Sequence, residues 1–120
     1  VPAARNLEPH PAPSTLRVPM LRFQAEGLGW MLAREADATT RGGILADEMG
    51  MGKTLQMISL LLAGRSCGAN LVVCPAAAML QWRNEILRFT EPGALEVELY
   101  YGDGRKSQDF NGRDRLGGFA

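Results

Sequence analysis

Ile44-Leu45-Ala46-Asp47-Glu48-Met49-Gly50-Met51-Gly52-Lys53-Thr54 decides how this chain is read. A short apolar segment runs into a glycine loop, and the loop ends on a lysine and a hydroxyl. The residues that follow, Lys53 to Ala63, place Leu55, Ile58 and Leu62 at helical spacing, with Met57 and Leu61 beside them. Strand, glycine loop, Lys-Thr and helix therefore occur in the order a phosphate cradle requires. Glycines let the backbone approach a polyphosphate, and successive N–H groups with the helix N-terminus supply fixed positive dipole. Lys53 would reach the β/γ-phosphates and Thr54 would ligate the Mg²⁺ that bridges them. The strict P-loop pattern wants glycine five residues before Gly52, where this chain has Asp47. A plain glycine turn with an idle lysine is the competing reading. It does not need Gly-x-Gly-Lys-Thr in register.

Working outward, the chain alternates helical and extended patterns. A helix is expected from about Leu21 to Glu35, with Leu21, Ala25, Leu28 and Leu32 on one face and Trp30 and Met31 beside it. Gly27 and Gly29 weaken that expectation. Gly43 to Ala46 reads as a short buried strand. Leu71-Val72-Val73-Cys74 is a continuous apolar run stopped by Pro75, as in a strand covered on both faces. Ala77 to Phe89 repeats Met79, Trp82, Ile86 and Phe89 at helical intervals. Leu95 to Tyr101 alternates apolar residues with Glu96 and Glu98, as a third strand would.

Helix and strand in alternation specify an α/β fold, a parallel sheet with helices on both faces. Ligands of such sheets lie beyond the carboxyl ends of the strands, where the Gly50–Thr54 loop falls. Three strands leave an unsatisfied edge, so the lobe is expected to be incomplete, a fragment of marginal stability. Residues 1–19 hold five of the seven prolines and read as an extended or disordered lead-in. Residues 20–103 form the expected nucleotide-binding lobe, and residues 104–120, rich in glycine, arginine and aspartate, a flexible or truncated tail.

The 120 residues suit a single domain, and 46% apolar content is ordinary for a globular chain. Thirteen basic and thirteen acidic residues cancel, so bulk charge argues neither for nucleic acid nor for a membrane. No apolar run approaches the roughly 18 residues of a spanning helix, and the first residues lack the cationic start and apolar core of a signal peptide. Cys67 and Cys74 do not form a Cys-x-x-Cys pair, and the single histidine, His10, is far away and cannot complete a zinc site. Cys74 is expected to be a buried free thiol, and a reducing compartment fits best.

Several blocks together are similar to the first RecA-like lobe of Swi/Snf-type helicase-like ATPases, DNA translocases of chromatin remodelling and repair. They are Leu21-Arg22-Phe23-Gln24, Gly27-Leu28-Gly29-Trp30-Met31, Gly43 through Gln56, Leu71 through Pro75, and Gln81-Trp82-Arg83-Asn84-Glu85. The resemblance covers residues 18 to 103. In that family Asp47-Glu48 commonly replaces the missing glycine. Met51 and the Leu-Gln after Lys-Thr look most like the nucleotide-excision-repair branch that carries a RING insertion.

The resemblance implies ATP and Mg²⁺ as cofactors and ATP hydrolysis in the full-length protein. It implies double-stranded DNA or chromatin as partner, a second RecA-like lobe in cis, and a nuclear location. Gln24 resembles the glutamine that reads the adenine edge. Asp47, Glu48, Met49, Gly50, Met51, Gly52, Lys53, Thr54 and Leu55 form the nucleotide loop, with Lys53 and Thr54 the catalytic pair and Thr54 the metal ligand. After Pro75 the family often has a hydroxyl residue for the DNA backbone, whereas this chain has Ala76-Ala77-Ala78. Trp82 is expected in the core rather than as a base-stacking platform. The family's metal-holding acidic box and its paired arginines do not occur in these residues, so the fragment alone is expected to be inactive. A non-catalytic remnant of such a motor and a P-loop NTPase of another class are the alternatives.

Overall fold

A computed structural model describes residues 7–64 and 68–101. Residues 1–6, Arg65 to Cys67, and 102–120, which include the expected tail, lie outside the described residues. Three helices order the rest: α1 (Arg22–Ala36), α2 (Lys53–Ala63) and α3 (Ala76–Phe89).

α1 starts on Leu21, whose side chain cannot cap a helix. The Gln24 side chain compensates, its Oε1 accepting the Leu21 backbone N–H at 2.9 Å. This is the return half of a capping box. At the other end the Asp37 N–H donates to Ala33 and Arg34 carbonyls, and Arg34 Nε donates to the Gly42 carbonyl at 3.0 Å. The Thr39 N–H on the Asp37 carboxylate, 2.8 Å away, shapes the next turn and holds that carboxyl below its ordinary value.

The buried face of α1 is Gln24, Leu28 and Met31, which lie at i, i+4 and i+7. The expected face is rotated: Leu21 is 60% exposed, while Ala25 and Leu32 are only half-buried. The polar Gln24 takes an inward position that an apolar count assigns to leucine, because its amide serves the helix start and the loop before α2.

α2 lies between the other two helices. Ile58 and Leu62 join Ile86 of α3 with Ala94 and Leu95, and Leu16, Leu61, Trp82, Phe89 and Val97 pack around them. Leu60 turns the other way and joins Leu28 and Met31 of α1, with Met20, Leu45 and Met57 among its neighbours. The α2 bounds agree with the sequence reading, and α3 begins one residue earlier than expected. Ile86 is fully buried and Trp82 packs on the core, as their spacing predicts.

The lead-in contacts two helices. His10 N–H donates to the Ala25 carbonyl, and an antiparallel bridge pairs Leu16 with Thr90. Arg17 donates to Phe89 at 2.7 Å and Glu91 donates to Thr15 at 2.8 Å on either side of that bridge.

No β-ladder forms among the described residues. A strand is defined by the neighbour it pairs with, and residues 43–46 and 71–74 have no such neighbour here. Their side chains nevertheless alternate. Ile44 is 83% exposed beside a half-buried Leu45; Leu71 and Val73 are exposed beside half-buried Val72 and Cys74, a free thiol. Among the described residues no helix is long and apolar enough to cross a membrane.

Candidate phosphate-binding site

The loop between Ala46 and α2 is held by backbone geometry. The Met51 N–H donates to the Glu48 carbonyl at 3.3 Å, closing a four-residue turn. Gly50 at φ 84° takes the third position, where a positive φ favours glycine. Gly52 follows at φ 76°, ψ 39°, left-handed, and is the N-cap of α2. Both positions thus need a backbone that glycine adopts without strain.

The first intrahelical bond of α2 is Gln56 N–H to the Gly52 carbonyl, 3.0 Å. The amides of Lys53, Thr54 and Leu55 therefore precede any acceptor within the helix. The first turn contains no acidic residue, and Gly52 has no side chain to cap with. Such an end attracts an anion. Lys53 and Thr54 are the first two helical residues, both half-buried, and among the described residues Lys53 forms no ion pair. The chemistry of this donor set fits a phosphate tail: free amides, one ammonium, one hydroxyl and no competing carboxylate in the helical turn.

Gln24 reaches the loop from α1, its Nε2 donating to the Met51 carbonyl at 3.3 Å. With Oε1 on Leu21, each end of the amide is engaged once. One N–H and one lone pair remain by the donor–acceptor inventory of an amide, the complement an adenine edge presents. Glu48, Met49, Gly50 and Met51 are exposed on the loop, while Asp47, Gly52 and Leu55 are half-buried. Asp47 is turned toward the protein, where its Oδ2 accepts the Gln56 Nε2–H at 2.9 Å. Sequence reasoning assigned nothing to Gln56. Its signal was available: one amide between Leu55 and Met57, at the start of the apolar stretch of α2.

Gly52 answers to two constraints. Its φ is left-handed, and a Cβ there would collide with Gln24 Nε2. Gly52→Ala is expected to destabilise the chain by about 1–2 kcal/mol through the left-handed backbone alone, with the Gln24–Met51 bond displaced besides. A urea midpoint equal to that of the parent would show that the loop relaxes freely.

After Pro75, Ala76 and Ala77 open α3 exposed, and the Ala78 N–H donates to the Pro75 carbonyl at 2.9 Å. Among the described residues no group of three or more His, Cys, Asp or Glu side chains is placed to hold a metal.

Comparison with known proteins bears on this arrangement. Residues 23–119 match the SNF2-related domain. The ATP-dependent helicase rhp16 of Schizosaccharomyces pombe is 47% identical over 103 residues, 86% of this chain and 12% of that protein. Helicase SWR1 of Saccharomyces cerevisiae is 41% identical over 104 residues, covering 82% of this chain and 6% of SWR1. The ATP-dependent helicase ULS1 of the same yeast is 44% identical over 78 residues, 62% of this chain and 5% of ULS1. The chain thus spans a small part, 12% or less, of the length of these relatives. With the match running across most of the chain and including the Gly50–Thr54 loop, this protein belongs to the family of SNF2-related domains.

Proposed function

We propose that this chain is the nucleotide-binding start of a DNA-dependent ATPase that translocates along double-stranded DNA in chromatin remodelling or repair. The observation that carries the reading is the start of α2, where three amides, Lys53 and Thr54 meet with no acidic side chain in the turn. It is supported by the ATP-dependent helicases among the relatives.

Lys53 donates to the β/γ-phosphate oxygens, and the loop from Asp47 to Gly52 follows the tail with its backbone. Thr54 would hold Mg²⁺ through its hydroxyl, and the ion would supply positive charge to offset that of the phosphates. Gln24 uses its remaining N–H and lone pair on the adenine edge. A second RecA-like lobe in cis supplies the arginines, and a carboxylate box outside these residues orients water. Chromatin as partner implies a nuclear protein, and membership of the RING-carrying branch belongs to the same proposal.

The division into a lead-in (1–19), a lobe (20–103) and a tail (104–120) belongs to the same proposal, as does a parallel sheet built on residues 43–46, 71–74 and 95–101.

ATP hydrolysis by the whole protein should rise several-fold on adding double-stranded DNA, measured as phosphate release. Turnover indifferent to DNA would exclude a translocase. Residues 1–120 alone should bind ATP weakly and release no phosphate; robust hydrolysis would show that they already contain the water-orienting groups.

A further inference from the structure

We infer that Gln56 is a positioning residue for the phosphate loop, holding the Asp47 carboxylate in the seam between α1 and α2 and away from the nucleotide's phosphates. The inference rests on the phosphate-site reading above and adds to it a device that keeps an acidic side chain compatible with an anion site.

A strict phosphate loop has glycine at position 47, with no side chain to repel the ligand. Here the position bears a full negative charge a few residues from the α2 amides. Gln56 is wholly buried, one turn into α2 from Lys53, and its Nε2 donates to Asp47 Oδ2 at 2.9 Å. Hydrogen bonds to an ionised carboxylate are stronger than neutral ones, so the tether fixes where that charge points. It also anchors the near end of the loop, whose far end Gln24 holds through the Met51 carbonyl. The two glutamines thus fasten the loop at both ends, one from α1 and one from α2.

The other end of the Gln56 amide identifies what it is there for. Oε1 is buried and has no hydrogen-bond partner among the described residues, although burying an unpaired carbonyl is unfavourable. A residue retained only for packing would serve better as leucine. Exchanging the amide's ends would set Oε1 against the carboxylate, so the unpaired acceptor is the consequence of donating to Asp47. It lies against Gly27 of α1, where a Cβ would collide with it. Gly27 therefore makes room for an amide whose job is on the loop.

Stability and nucleotide affinity should consequently separate. In the whole protein, Gln56→Leu removes the tether and the unpaired acceptor together. Its melting temperature should equal or exceed the parent's, while its affinity for ATP, read by calorimetry, falls about tenfold. In the nucleotide-free protein the Met51 amide, hydrogen-bonded to the Glu48 carbonyl, should exchange with deuterium about tenfold faster. Gly27→Ala, favourable for a helix, should produce the same pair of losses by displacing Oε1 from the α1 side. Gln56→Glu opposes two carboxylates, and Asp47→Asn restores a bond of reversed polarity. Asp47→Asn should therefore raise affinity about tenfold more in the Gln56→Glu background than in the parent.

Equal gains in both backgrounds, or stability and affinity falling together in Gln56→Leu, would overturn the inference. So would parent-like loop exchange and affinity in Gln56→Leu when Lys53→Ala has lost ATP. Undiminished ATP binding by Lys53→Ala would instead overturn the phosphate-site reading.

Discussion

Lys53→Ala is expected to lower ATP turnover of the whole protein by about a hundredfold or more, the scale set by removing a single preorganised donor from a developing charge. Phosphate release under saturating DNA is the measurement. The fold should not suffer with it. Lys53 stands at the first position of α2 and has no ion-pair partner among the described residues. A cation at a helix N-terminus opposes the helix dipole, so its removal should stabilise α2 by about 0.3–1 kcal/mol. A lysine placed against the local electrostatics, in a turn without an acid, makes sense when a polyanion supplies the missing charge. Retained turnover in Lys53→Ala would show that the one charged donor proposed from this chain is dispensable, and would overturn the assigned chemistry.

Ile58→Ala is expected to cost about 2–5 kcal/mol, the range for truncating a large aliphatic side chain in a packed core. Ile58 is fully buried and sits among Leu62, Ile86, Ala94 and Leu95, where α2 meets α3 and the segment that follows it. Because α2 also contributes Leu60 to the cluster with Leu28 and Met31, loosening it disturbs both cores and the loop at its start. Domain stabilities are only about 5–15 kcal/mol, so a loss of that size should unfold much of the population. The urea transition followed by helical circular dichroism should shift accordingly. A shift corresponding to less than about 1 kcal/mol would mean that the cavity collapses or that Ile58 is not the centre of the core.

What could be read from the residues and what could not divides along a physical line. The α2 bounds, the α3 stripe and the Gly-x-Gly-Lys-Thr turn are local. Helical spacing, a glycine that accepts positive φ, and the order of loop and helix all lie within a few neighbouring residues. Residues 43–46 and 71–74 read as buried strands, the second covered on both faces, yet Ile44, Leu71 and Val73 are exposed; covering a face and pairing an edge both depend on distant neighbours, and no ladder is formed among the described residues. Comparison with known proteins places the chain among SNF2-related domains, the family that its motif blocks resemble.

Tertiary structure decided the rest. Apolar counting puts Leu21 on the inner face of α1, yet Leu21 is exposed and Gln24 is buried, because a side chain that caps one element and clamps another gains two hydrogen bonds inside. Gly27 and Gly29 look like defects in a helix considered alone; with neighbours in place, Gly27 is the floor beneath Gln56. Asp47, read as a substitute for a loop glycine, acquires its tether only through a residue nine positions later on another element. Sequence by itself determined where the glycine loop ends, where α2 begins and that Lys53 and Thr54 stand at its start. Only packing determined which way α1 faces and where the Asp47 charge is held, since both depend on contacts between residues that no spacing rule connects.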